Sequence, residues 1–197
     1  MKRQLAGLST LMLFLFSLPV YAGAPLDTVQ ANVNKVLEVL RDPALKAELA
    51  KEIKKDKLRP IYKGMFDDVE LSRRTMARNW NNLNVTQRQE FVQLFRRVLE
   101  KAYADKIISY NNEKIVFDRE TLLSGNQAEV QTRIITSSKE IPVSYRVILK
   151  DGAWKVYDVV VEGVSLIQNY RSQFNDILVK NTNEQLLEIL RKKVKEQ

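Results

Sequence analysis

An α+β fold is what this sequence predicts: N-terminal helices, a four-stranded antiparallel meander, and C-terminal helices packed on the sheet. Three observations predict it. Apolar residues recur at three- and four-residue spacing through the first half, the period drops to two from about Lys114 to Glu162, and helical spacing returns from Val164. A meander with one alternating apolar face must lay that face on something, and the helices are the only candidates.

The chain begins with Lys2 and Arg3, runs through an apolar stretch from Leu5 to Leu18, and reaches the small residues Val20 and Ala22. That is the plan of a cleavable export signal, with the cut expected after Ala22 and Ala24 as the alternative. The stretch is too short and too interrupted to span a bilayer. Residues 1–22 are therefore expected to leave, and residues 23–197 to form one domain, since no repeat, low-complexity tract or Pro/Gly/Ser linker divides them. The product is expected to be soluble and periplasmic. Losing Lys2 and Arg3 takes the formal net charge from +8 to +6.

The first helix carries Leu26, Val29, Val33, Val36, Leu37 and Leu40. Asp42-Pro43 starts a second, bearing Leu45, Leu49 and Ile53, because proline fits a first helical turn where its missing N–H has no partner. A third helical piece runs from about Leu58 to Phe66 and a fourth from Asp68 to Asn79. The run Asn81-Asn82-Leu83-Asn84 breaks the pattern. Thr86 with Gln89 three residues on reads as a capping box, opening a helix with a stripe of Phe91, Leu94, Phe95, Val98, Leu99 and Ala102. Ile115 to Phe117 make a short first strand. Ala128, Val130, Thr132 and Ile134 mark the second, and Ile141, Val143, Tyr145, Val147 and Leu149 the third. Asp151-Gly152 is a two-residue hairpin signal before the fourth strand, Ala153 to Glu162. Helices from Val164 to about Lys180 and from Asn183 to about Lys195 close the chain.

The absence of Cys and His excludes thiol and His-based nucleophiles, disulfides, thiolate zinc and His-ligated metals. Carboxylate pairs such as Asp67-Asp68 and Glu113 with Asp118 read as caps and solvated charges, and the glycines are too scattered for a phosphate loop. No catalytic residue, metal or cofactor is expected. Basic residues cluster at Lys51 to Arg59 and at Arg191 to Lys195, on amphipathic helical patterns. Of the partners that a basic surface attracts, export leaves anionic lipid and acidic proteins ahead of nucleic acid, which is not expected. Sixteen aromatics (Phe 7, Tyr 7, Trp 2) become thirteen when Phe14, Phe16 and Tyr21 leave. They suffice for a core or a lined cavity, and periodicity does not separate the two.

The segment from Trp154 to Phe174, WKVYDVVVEGVSLIQNYRSQF, closely resembles the signature of the MlaC family, also called toluene-tolerance proteins. Met76-Ala77-Arg78-Asn79-Trp80, Gln87-Arg88 with Phe91, Phe95 and Leu99, and the Asp151-Gly152-Ala153-Trp154 hairpin are similar to the family too. The resemblance covers roughly residues 30–195. One departure is Asn79-Trp80-Asn81-Asn82, where family members often carry a small residue near the aromatic.

The resemblance implies that the C-terminal helices pack on the sheet around an apolar cavity, and that the chain is a monomeric periplasmic phospholipid carrier, with phospholipid as cargo, serving an inner-membrane ABC transporter complex and an outer-membrane lipoprotein complex. Two tails of about 30 methylenes would expose on the order of 20 kcal/mol of hydrophobic free energy in water, so a carrier must hide most of both. The expected tail lining is Val130, Thr132, Ile134, Val143, Tyr145, Val147 and Trp154 from the strands. Phe91, Phe95 and Leu99 join from the capped helix, and Leu166, Tyr170 and Phe174 from the signature helix. Ser165, Asn169, Arg171, Ser172 and Gln173 form a polar cluster in which Arg171 is expected to pair with Asp158. The rival readings are an exported hydrolase using a carboxylate pair, and a closed-core structural domain that docks membranes or acidic proteins.

Overall fold

The structure, a computed structural model, describes residues 24–45, 50–109 and 113–195. The expected export signal at residues 1–22, Leu49 and Tyr110 lie outside them. In chain order the elements are α1 (Pro25–Arg41), a 3₁₀ turn (Pro43–Leu45), α2 (Lys51–Met65), α3 (Asp68–Met76), a 3₁₀ segment (Ala77–Asn82) and α4 (Val85–Ile108). Then follow β1 (Lys114–Ser124), β2 (Gln127–Ile135), β3 (Glu140–Lys150), β4 (Ala153–Val161), β5 (Val164–Ser165), α5 (Leu166–Leu178) and α6 (Asn183–Lys195).

The sheet has five antiparallel strands in sequential order, not the four expected. The fifth arises because Glu162 and Gly163 both take positive φ, 49° and 83°, the same two-residue geometry as Asp151 and Gly152 at 51° and 76°. Such a turn matches the twist of flanking strands. It folds Val164 and Ser165 back onto Val161 and Val160 before α5 can begin.

Three helix expectations also change. The pieces placed around Ile53 and from Leu58 to Phe66 belong to one helix, α2, which carries Pro60 inside it. The amphipathic pattern continues through the proline at the expense of one ladder hydrogen bond. The fourth helix ends at Met76, beyond which Ala77 has φ 49° and the chain tightens into the 3₁₀ segment. The cap of α4 is Asn84, not Thr86. Its Oδ1 accepts the Gln87 amide at 2.9 Å while Gln87 Oε1 accepts the Asn84 amide at 3.2 Å. Asparagine is the stronger cap and sits where the backbone is still extended.

Alternation sorts the sheet into two faces. One is apolar across five rows: Ile115–Ile134–Ile141, Phe117–Thr132–Val143–Val161, Val130–Tyr145–Val159, Ala128–Val147–Val156 and Leu149–Trp154. Val29, Val33 and Leu37 of α1 and Met65 of α2 pack on its Ala128–Val156 region. A second core joins α3, α4, α5 and α6 around Phe91, Phe95, Phe174 and Leu186, and meets the sheet at Tyr157 and Ile148. Tyr157 reaches it because β4 carries an extra residue there: Arg146 pairs with Asp158 and Val147 with Val156.

Candidate functional site

The apolar sheet face brings together all seven strand residues expected to line a cavity. Val130, Val143, Val147 and Trp154 are buried, and Ile134 and Tyr145 are partly buried. Thr132 is buried too, its hydroxyl donating to the Val143 carbonyl at 2.8 Å. α1 covers part of this face with its Val29–Val33–Leu37 stripe, one turn of helix apart at each step. Near its start the Leu26 amide donates to a Glu120 carboxylate oxygen at 2.8 Å, tying the open N-terminal end of α1 to β1. The Tyr145 ring packs in this seam, and burial pushes its hydroxyl up to about 12.

The six expected helix residues lie elsewhere. Phe91, Phe95, Leu99, Tyr170 and Phe174 belong to the helical core, with Leu166 packed against it. Phe95 stands edge-on to Tyr170 and Phe174 at centroid distances of 5.0 and 5.3 Å, and Phe91 edge-on to Phe174 at 5.6 Å. These are interlocked rings of a packed interior. Burial, and then the charge and the hydrogen bond of neighbouring Tyr103, raise the Tyr170 hydroxyl to about 12. What was expected as one lining is therefore two packed clusters, and the helical one touches the polar side of the sheet through Tyr157.

The signature's polar residues hold the helices in place. Asp158, 1% exposed, accepts the Ser165 hydroxyl at 2.7 Å, the Ile167 amide at 3.1 Å and Arg146 at 3.2 Å. Ser165 in turn accepts the Gln168 amide at 3.1 Å. Together they satisfy the first amides of α5 and seat it on β4. Arg171 does not pair with Asp158 as expected. Its Nε and Nη2 donate to the Arg74 carbonyl at 3.1 and 2.6 Å, closing the C-terminal end of α3 where carbonyls lack partners and a cation is favoured.

Sequence reasoning missed the group around this anchor. Arg146 bridges Glu129 at 3.1 Å and Asp158, a cross-strand ladder through β2, β3 and β4. Arg74 lies 3.9 Å over the Tyr157 ring and holds Glu70 at 2.6 Å. All of these but Glu70, with Gln168 and Arg171, line a cleft of about 240 Å³ on the polar face of the sheet. The signal was the opposite phase of the strand alternation, Glu129 and Arg146, but only the register places them side by side. A second cleft of about 350 Å³ runs between the α2–α3 junction and the β3–β4 hairpin, lined by Asp67, Asp68, Lys150 and Lys155 among others. None of the thirteen expected lining residues borders either cleft. Among the described residues no cluster of acidic side chains is arranged to hold a metal ion, and no helix is long and apolar enough to cross a membrane.

The fold is that of a small α+β protein with one broad apolar sheet face, in which the buried pair Asp158 and Ser165 holds α5 to the sheet. The MlaC protein family model matches residues 30–192, and the chain belongs to that family. It is 27% identical over 180 residues to the toluene tolerance protein ttg2D of Pseudomonas putida, covering 90% of this chain and 84% of the relative. It is 29% identical over 113 residues to the intermembrane phospholipid transport system binding protein MlaC of Haemophilus influenzae, covering 55% of this chain and 53% of that one. A phospholipid-binding protein from Ralstonia solanacearum, solved in complex with a phospholipid, shares the fold with a TM-score of 0.77. The match has 21% identity and covers 88% of this chain and 98% of that one.

Proposed function

We propose that this chain is a periplasmic phospholipid carrier that performs no turnover. Residues 1–22 direct export and are removed, and residues 23–197 act as one domain that passes glycerophospholipid between an inner-membrane ABC transporter complex and an outer-membrane lipoprotein complex. The observation that carries the reading is the five-row apolar sheet face covered by the Val29–Val33–Leu37 stripe of α1. Contacts of this kind are non-directional, so an acyl chain can replace the helix side chains without stranding a hydrogen bond. The tails lie in the seam between α1 and the sheet, against Val130, Val143, Tyr145, Val147 and Trp154. The family membership and the phospholipid named for two relatives support this reading.

The basic clusters serve encounter with partners. Lys55 and Arg59 are paired with α4 carboxylates, and Arg191 with Glu90, Glu184 and Glu188. Such exposed pairs contribute little to stability and leave room for exchange with an acidic surface.

Native mass spectrometry and solvent extraction of protein purified from cells test the reading. The expected result is co-purifying diacyl phospholipid in the natural sequence and none in Val130→Glu or Val147→Glu, because a carboxylate among tails is costly; circular dichroism identifies a variant that loses lipid only by unfolding, since both residues are buried. Lysolipid or fatty acid products would point to a hydrolase. Protein free of lipid would point to a closed structural domain.

A further inference from the structure

The cleft on the polar face of the sheet is unbalanced in a way that the helix anchor does not require. Its carboxylate oxygens are engaged: Glu129 accepts from Arg146 and Gln131, and Asp158 accepts three hydrogen bonds. Its donors are in surplus. Arg74 spends Nε on Glu70 and Nη2 on Gln127, Arg146 spends Nε and Nη1, and Arg171 spends Nε and Nη2. Each guanidinium keeps one terminal nitrogen without a partner among the described residues, and guanidinium nitrogens donate but do not accept. Arg171 also has no carboxylate within ion-pair distance among them. Three guanidinium groups against two carboxylates therefore line a cleft of about 240 Å³. That is below the size of drug-sized ligand pockets, but ample for a tetrahedral oxyanion and a short polar substituent.

We propose that this cleft binds a phosphate-type oxyanion through the spare N–H groups of Arg74, Arg146 and Arg171. Planar guanidinium groups fixed by other contacts are suited to phosphate oxygens, and each of these three is already held in place by a carbonyl, a carboxylate or a ring. The site is independent of the acyl-chain seam, since Arg146 points to the opposite face of the sheet from Tyr145 and Val147. The oxyanion can come from free phosphate or from the headgroup of a phospholipid other than the one held in the seam, and one experiment separates them.

Gln168 supplies the test because it lines the cleft, is exposed, and makes its helix-capping contact through its backbone amide. Gln168→Glu keeps or improves the cap, as Ser165 followed three residues later by Glu is a capping box, yet it sets a carboxylate among the arginines. Gln168→Lys adds a cation at the same place. Calorimetric titration of the purified full chain with inorganic phosphate, at constant ionic strength, is expected to show binding that falls at least about tenfold in Gln168→Glu and rises severalfold in Gln168→Lys. No binding by the natural sequence up to about 10 mM phosphate overturns the proposal, as does any result in which both variants move affinity in the same direction or not at all. Glycerophosphoethanolamine titrated in parallel assigns the source. At least about tenfold tighter binding than inorganic phosphate identifies a headgroup site, and equal or weaker binding a site for free phosphate.

Discussion

Asp158 is the residue on which the signature segment turns. Its two carboxylate oxygens take a hydroxyl, a backbone amide and a guanidinium, so one buried side chain fixes the β4 bulge, the start of α5 and the Arg146 ladder. Removing it leaves Arg146 facing a buried gap and the Ile167 amide without an acceptor, and stranded partners dominate the cost of such deletions. Asp158→Ala is therefore expected to lower unfolding free energy by about 3 kcal/mol in urea titrations; a loss under about 1 kcal/mol would contradict the anchoring role. Double-mutant cycles divide the partners further. Asp158 with Arg146 is expected to couple by about 1 to 3 kcal/mol, while Asp158 with Arg171 is expected to be additive within about 0.5 kcal/mol, because Arg171 spends its donors on the Arg74 carbonyl.

At the level of elements, the α4 cap separates two readings of the same six residues, Asn84 to Gln89. Asn84→Ala is expected to cost about 1 kcal/mol, whereas Thr86→Ala, one residue inside the helix and exposed, is expected to change stability by less than about 0.5 kcal/mol. Thermal melts of both variants check this, and the reverse order would restore Thr86 as the cap. The hairpin glycine gives a second measure. Gly152 has φ 76° with open space around its α-carbon, so Gly152→Ala is expected to destabilise by about 1 kcal/mol through backbone strain alone.

These elements also show where period reading works and where it stops. Strands β2 and β3 were legible because Val130–Thr132 and Val143–Tyr145–Val147 alternate without a slip. β1 was read as three residues because a register shift near Asp118 changes the phase: Ile115 and Phe117 face the apolar side, then Glu120 and Leu122. A bulge is invisible to a rule of two. Glu162-Gly163 escaped notice because glutamate is not the residue expected at positive φ. The strand half of the candidate lining was legible for the same reason as the strands. The helix half was not, because the stripe of Phe91, Phe95 and Leu99 shows that α4 buries a face without naming what it is buried against.

For the whole molecule the two clusters make different demands on the proposed carrier function. The helical core is assembled from four helices and interlocked rings, and opening it would expose Phe91, Phe95 and Phe174 together. The seam is covered on one side by α1, whose apolar stripe can be exchanged for tails at little net loss of burial. Cargo entry should therefore move α1 and leave α4 and α6 in place. Hydrogen exchange on phospholipid-loaded and lipid-stripped protein reads this directly. Amides from Val29 to Leu37 are expected to change protection by at least about tenfold, while those of α4 and α6 stay within about twofold. Should the change fall on α4 and α5 instead, the tails enter among Phe91, Phe95, Tyr170 and Phe174, and α1 is a fixed wall. Because local opening is a cooperative property of whole elements, the experiment assigns the route even if no single seam residue proves indispensable.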